Sequence, residues 1–398
     1  MPSRSSATRG AFGHDVGCAP YALVMGTVTV SAARLASMLG NRHQTPADIE
    51  TLALSVDPSQ CAQADSQLTL EDLIALGKFF KRPWSYLLID EPEVVDTVGQ
   101  DNRSLRNQKQ LPSPALLDQI HAAVEMLATA ADLFPETKFE VPPGVTSSTP
   151  AKTAGRVIRE FLGVSEQEQL KAKDDFSALR LWVDALHRRG VYVSQRNLND
   201  KTVRAFSRVD GAQAVIVVDT RDGAYARAFS LLHEYAHIVL RSAGICDLTE
   251  HSRIESFCNA VAAAALMPTK LVHKVLVSRS FSGAADSDDD LLRDLSKGLR
   301  VSQAALLIRL RELGVISASH YDAMEERRAG RRSDNERTPG GTYYPPRINR
   351  VGRRYAREVF GALDSRQIDR QDASAALEIG EHLLNSYRTE LGKSEEST

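Results

Sequence analysis

The sequence predicts an α+β protein, mostly α: a small sheet, then a helix carrying H-E-x-x-H, with a helical module before them and a helical region after. Three observations carry this. Apolar residues recur at three- and four-residue spacing on both sides of the chain's centre, the helical pattern. Three short apolar, β-branched runs fall together at residues 191–194, 203–207 and 214–219 (AVIVVD), the strand pattern. Directly after them, residues 225–240 (YARAFSLLHEYAHIVL) place His233, Glu234 and His237 in one helical stretch.

Length and composition bound the rest. A chain of 398 residues holds two or three domains and can bury a sizeable core. It is 42% hydrophobic and 25% charged, with a net charge of -2, so no bulk attraction to nucleic acid or to a membrane is implied. The longest apolar runs, such as 260–267, are far too short to span a bilayer. Residues 1–17 lack the continuous apolar stretch of a signal peptide. Cys18, Cys61, Cys246 and Cys258 are scattered and form no C-x-x-C pair, so reduced thiols and a cytoplasmic location are expected, with no membrane contact.

In chain order, residues 1–26 read as a disordered tail and 27–95 as a helical module. Within it, 27–39 is expected as a helix with Ala32, Leu35, Ala36 and Leu39 on one stripe. Residues 68–89 read as two helices broken near Pro83, the first opened by Thr69 and Asp72 at capping-box spacing. A helix-turn-helix fits this module, as does a plain helical adaptor. DNA is the weaker candidate partner, because the segment between the helices offers few Arg or Lys to meet phosphates. Residues 96–150 read as a linker, a helix at 114–134 and a loop at 135–150 rich in Pro, Ser and Thr. Residues 151–330 form the domain of interest. Helices are expected at 151–162 and 176–189, the second ended by Gly190, followed by the three strands. Such a sheet can floor a peptide cleft, since an extended substrate adds to a free sheet edge. After the H-E-x-x-H helix come a loop at 242–251, a helix at 253–267 stopped by Pro268, and two helices within 288–314 with a turn at 298–301. Residues 331–398 are a C-terminal helical region, with a basic surface loop at 327–354 and helices at 353–363 and 373–391.

On a helix, His233 and His237 leave the same face one turn apart and can hold one Zn²⁺. Glu234 projects beside them, where it can take a proton from water activated at the metal. An apolar surround of Phe229, Leu232, Ala236, Ile238 and Val239 separates this pattern from two His repeating on a surface helix, because buried polar groups need a metal or a network. A peptidase-type zinc site needs a third protein ligand. Leu240 and Ala243 stand where the long metzincin motif would need Gly and His, which excludes that arrangement. Asp247, Glu250, His251 and Glu255 remain. Glu255 is the strongest, on a helix that can return antiparallel to the first, with Asn259 one turn later to accept an imidazole N–H.

The segments FSLLHEYAHIVL, GICD and IESFCNAVAAAALMP resemble the metal-site blocks of the ImmA/IrrE metallopeptidases. FKRPWSYLLIDEPE resembles the end of the Xre-type helix-turn-helix module often fused upstream. LRVSQAALLIRLRELGVIS and GGTYYPPRINRVGRRYAREVF resemble the region downstream, so the likeness spans about residues 28–361. It implies a zincin-like core with thermolysin-like ligation: His233, His237 and Glu255 on zinc, Glu234 as general base. It implies an endopeptidase that cuts a regulatory protein such as an Xre-type repressor, in a stress response or in mobile-element control. Some relatives look like antitoxins that bind a PIN-like ribonuclease toxin, the alternative for this chain. The chain departs from the pattern at Phe257, Cys258 and Ala262 to Ala265. Tyr343, Tyr344 and His273 are candidates to stabilise the oxyanion.

Overall fold

The computed structural model describes residues 27–42, 44–80, 84–92, 113–200, 202–242, 251–279, 289–331 and 344–393. The tail expected at 1–26, nearly all of the linker and most of the loop at 242–251 lie outside them. The chain divides into two units, one of residues 1–98 with 112–118, the other of 99–111 with 119–398.

The first unit opens with a strand where the sequence suggests helix. Strand β1 (Val28–Val30) precedes helix α1 (Ala32–Asn41), which Ser31 caps. Two one-turn helices, α2 (Pro46–Ile49) and α3 (Pro58–Cys61), lead to strand β2 (Ser66–Leu68) and helix α4 (Leu70–Phe80). β1 pairs antiparallel with β2, Val28 opposite Leu68 and Val30 opposite Ser66. Alternating β-branched residues favour the strand, but its partner lies far along the chain, which a local helical stripe does not reveal. The Thr69 and Asp72 cap forms as expected: Thr69 N donates to Asp72 Oδ2 at 2.9 Å and Asp72 N donates to Thr69 Oγ1 at 3.2 Å. The second helix expected near 84–89 is a 3-10 turn, Trp84–Leu88. Leu35, Met38, Ile49, Leu68, Leu76 and Phe80 form this unit's own core.

Helix α5 (Pro114–Leu133) leads into the second unit. There, helices α6 (Ala151–Leu162), α7 (Glu166–Lys171) and α8 (Asp175–Arg188) precede strands β3 (Val191–Arg196), β4 (Ala205–Asp210) and β5 (Gln213–Asp219). The sheet order is β3-β5-β4; β5 runs parallel to β3 and antiparallel to β4. Every residue of β5 is buried, as its unbroken apolar run requires of a central strand. Gly190 ends α8 at φ +75°, and a Cβ there would lie 2.1 Å from the Lys138 carbonyl oxygen, so glycine is required.

Helix α9 (Ala224–Ser242) lies on β4 and β5 and packs between α8 and α10 (His251–Leu266). The Ala-rich half of α10 meets α6 closely: a Cβ on Gly155 would sit 2.6 Å from Ala264 Cβ and 2.8 Å from the Val261 carbonyl oxygen. The departure at Ala262 to Ala265 is therefore a close helix–helix contact. Three buried side chains take up the carbonyls that end α10. Arg159 donates to Ala265 O at 2.8 Å, Gln169 to Leu266 O at 3.0 Å, and Arg309 to Met267 O at 2.9 Å. This satisfies groups that a helix C-terminus otherwise leaves bare.

Helix α11 (Thr269–Ser278), beyond Pro268, and α14 (Ala318–Arg331) are elements the sequence pattern does not single out. Between them, α12 (Asp289–Leu299) and α13 (Gln303–Glu312) flank the expected turn, where Arg300 adopts φ +59°. The basic stretch expected as loop contains α15 (Tyr344–Val351), whose two prolines sit in its first turn, where no backbone donor is needed. α15 packs on β3, followed by α16 (Arg353–Asp364), α17 (Arg370–Ala376) and α18 (Leu384–Lys393). Among the described residues, no single helix is long and apolar enough to cross a membrane.

Candidate metal centre

The centre lies where α9 and α10 meet. His233, Glu234 and His237 are buried, at 0%, 0% and 3% exposure, because α9 packs on sheet and helices on all sides. One turn separates the two imidazoles, and their Nε2 atoms stand 3.1 Å apart. Glu255, near the start of α10, closes the group: Oε2 is 3.3 Å from His233 Nε2 and Oε1 is 3.1 Å from His237 Nε2. The ring of Phe229, one turn before His233, stacks on that imidazole at 6.4 Å between centroids.

These distances test the fit of a metal. Three donor atoms, one from each residue, lie within 4.8 Å of one another. A tetrahedral zinc with bonds of about 2.0–2.1 Å spaces its nitrogen ligands by about 3.3 Å. The observed separations of 3.1 and 3.3 Å match that edge. Glu255 reaches both imidazoles, one through each carboxylate oxygen, so the three donors gather round one point. Two imidazoles and a carboxylate are the donor set zinc prefers in hydrolytic sites.

Electrostatics agree with a shared cationic guest. Burial works to raise the Glu255 carboxyl, yet the two imidazoles hold it well below the usual carboxylate range. Burial disfavours charge on His237, but Cys258, Glu255 and the Glu234 charge lift it well above the usual imidazole range.

Two residues that pattern reading does not single out complete the centre. Ser207 of β4 donates its hydroxyl to Glu234 Oε2 at 2.9 Å, both groups being buried. A polar residue on the inward side of an apolar strand just before H-E-x-x-H was the available signal. Cys258 is fully buried and hydrogen-bonds to His237. Asn259 does not take the role expected of it: its Oδ1 is buried and has no hydrogen-bond partner, so it accepts from neither imidazole. A one-residue step along α10 turns the side chain by about 100°, and Cys258 is the residue that meets His237. Of the other ligand candidates, Asp247 and Glu250 lie outside the described residues, as does the side chain of His251. Among the oxyanion candidates, His273 is exposed on α11; Tyr343 and the side chain of Tyr344 lie outside the described residues.

Residues 186–311, from the last turn of α8 into α13, match the Peptidase_M78 model, the IrrE N-terminal-like domain. The chain carries an ImmA/IrrE-type domain. The match encloses the sheet, α9 and α10, and with them all four candidate residues, so the ImmA/IrrE-type domain here has a zincin-like core of small sheet and H-E-x-x-H helix. It supports a function of the metallopeptidase type. A comparison with curated proteins gives no match.

Proposed function

We propose that this protein is a zinc-dependent endopeptidase that cuts a regulatory protein, such as an Xre-type repressor, in a stress response or in mobile-element control. The observation that carries the reading is the convergence of His233, His237 and Glu255 with a buried carboxylate, Glu234, beside them on α9. Held by those three residues, Zn²⁺ would supply a Lewis acid and lower the pKa of water to about 7. Glu234 then takes the proton of the attacking water and delivers it to the leaving amine. The Ser207 hydroxyl holds that carboxylate in place from the strand side. β4 is an edge strand, and an extended substrate added there would lie beside Glu234. Regulatory proteins expose such segments in linkers between domains.

The test is incubation of the zinc-loaded protein with an Xre-type repressor, beside the Glu234→Gln variant. The wild type should cut the repressor into discrete fragments; the variant should hold one zinc and cut nothing. Cleavage by Glu234→Gln would sink the general-base assignment. Co-purification with an intact toxin that the same variant still neutralises would replace the peptidase by an antitoxin.

A further inference from the structure

Helix α8 carries a second group of reactive side chains, apart from the metal centre. Phe176, Arg180, Asp184 and His187 recur at spacings of four, four and three, so they share one stripe of the helix. They line a cavity of about 50 Å³ whose far wall is β3 and the junction of α15 with α16. β3 is the sheet edge opposite β4, where Ser207 meets Glu234. Two strand spacings, about 10 Å, separate those edges.

Gln195, in the lining, accepts from Arg227 at 2.6 Å, and Arg353 also lines the cavity; three polar side chains of α8 that face the same space stand differently. His187 is 8% exposed, and its Nε2, which faces the cavity, is buried without a hydrogen bond. Burial, then the charges of Arg354, Arg357 and Arg353, push its pKa down to about 3, so the ring is neutral and carries one N–H. Arg180 and Asp184 stand one turn apart, yet among the described residues neither makes a hydrogen bond or an ion pair. Leaving a buried polar group unpaired costs about 1–3 kcal/mol, so His187 Nε2 points to a guest, with the half-buried Arg180 and Asp184 on the same helix stripe able to reach it. The wall opposite His187 is kept thin: Gly352 adopts φ +86°, and a Cβ there would lie 2.3 Å from the Val193 carbonyl oxygen and 3.6 Å from His187 Nε2. The space equals about four water molecules, the size of a tetrahedral oxyanion.

The lining also selects among oxyanions. Arg180 attracts any anion, and a neutral imidazole can donate to one. The Asp184 carboxylate repels an anion without protons but accepts a hydrogen bond from one that keeps an O–H. Inorganic phosphate keeps one near neutral pH; sulfate does not. We propose that this cavity binds inorganic phosphate, with Arg180 pairing with the anion, His187 Nε2–H donating and Asp184 accepting the P–O–H.

The experiment is calorimetric titration of the zinc-loaded full chain with phosphate or sulfate near pH 7.5. Phosphate should bind saturably at one site, with sulfate weaker by about tenfold or more. Arg180→Gln should weaken phosphate by about tenfold, which separates the cavity from any phosphate taken up at the metal. Asp184→Asn should bring the two anions to within about threefold, because the amide no longer repels sulfate. Both positions are half-buried, and unchanged melting without anion shows the variants folded. No saturable phosphate binding, equal affinity for both anions in the wild type, or indifference to Arg180→Gln would each overturn the proposal.

Discussion

Gly155→Ala should loosen the scaffold of the metal centre. In a free helix this exchange is favourable by about 1 kcal/mol, since glycine is the weaker helix former. Here the new Cβ would meet Ala264 Cβ at 2.6 Å and the Ala265 nitrogen and Val261 oxygen at 2.8 Å. None of these atoms can swing aside; two are backbone and one is a Cβ fixed to it. Relief therefore requires α6 and α10 to part by about 0.5–1 Å, which forfeits a quarter to a half of the dispersion energy of each facing pair. Overpacking of this kind costs about 1–3 kcal/mol. The net expectation is a loss of about 1 kcal/mol, seen as a melting point lower by a few degrees. Glu255 lies on the same helix, so displacing α10 should also weaken zinc, read by competition with a chromophoric chelator. An unchanged or raised melting point would refute the packing argument. Lower stability with unaltered zinc affinity would refute the coupling of that contact to Glu255.

Ser207→Ala should lower cleavage by about 10–100-fold, since a hydrogen bond to a charged group contributes about 1.5–3 kcal/mol. Zinc stoichiometry should stay the same, and loss of zinc would show that Ser207 supports the fold and not the base. A chelator should lower the melting point and added zinc restore it, by about 2.7 kcal/mol at a hundredfold excess over Kd; His233→Ala should show no such response, and an equal response would place the ion elsewhere. Burial raises Glu312 from 4.5 to about 7 against the pull of Arg309. The folded chain thus binds that proton more tightly than the unfolded one, so the stability it contributes is full below pH 4.5 and lost as pH rises to about 7. In urea unfolding, Glu312→Gln should gain on the wild type across that window by up to about 3 kcal/mol, and a constant difference would contradict the burial argument.

Much of the site was legible because a helix places residues four apart on one face wherever it folds. His233, Glu234 and His237 needed only that periodicity and their apolar neighbours. Glu255 was legible as the acidic residue on the next helix, though only packing decides that the helix returns antiparallel and brings its carboxylate to 3.1–3.3 Å of both imidazoles. Asn259 was misread and Cys258 overlooked for one reason: helical phase alone does not say which of two adjacent residues faces a neighbour. Ser207 lay outside any motif, since its partner is 27 residues away and meets it only across the sheet.

The sequence by itself determined the helix–sheet–helix order, the caps and the placing of His233, Glu234 and His237 on one helix, all local consequences of residue type and spacing. Tertiary structure decided what depends on distant partners. β1 is a strand because residues 66–68 pair with it, and the prolines of α15 start a helix that β3 buries. Gly155 allows α6 to touch α10, and the unpaired groups of α8 surround one cavity. Spacing fixes which face a side chain leaves from; only packing fixes what stands opposite.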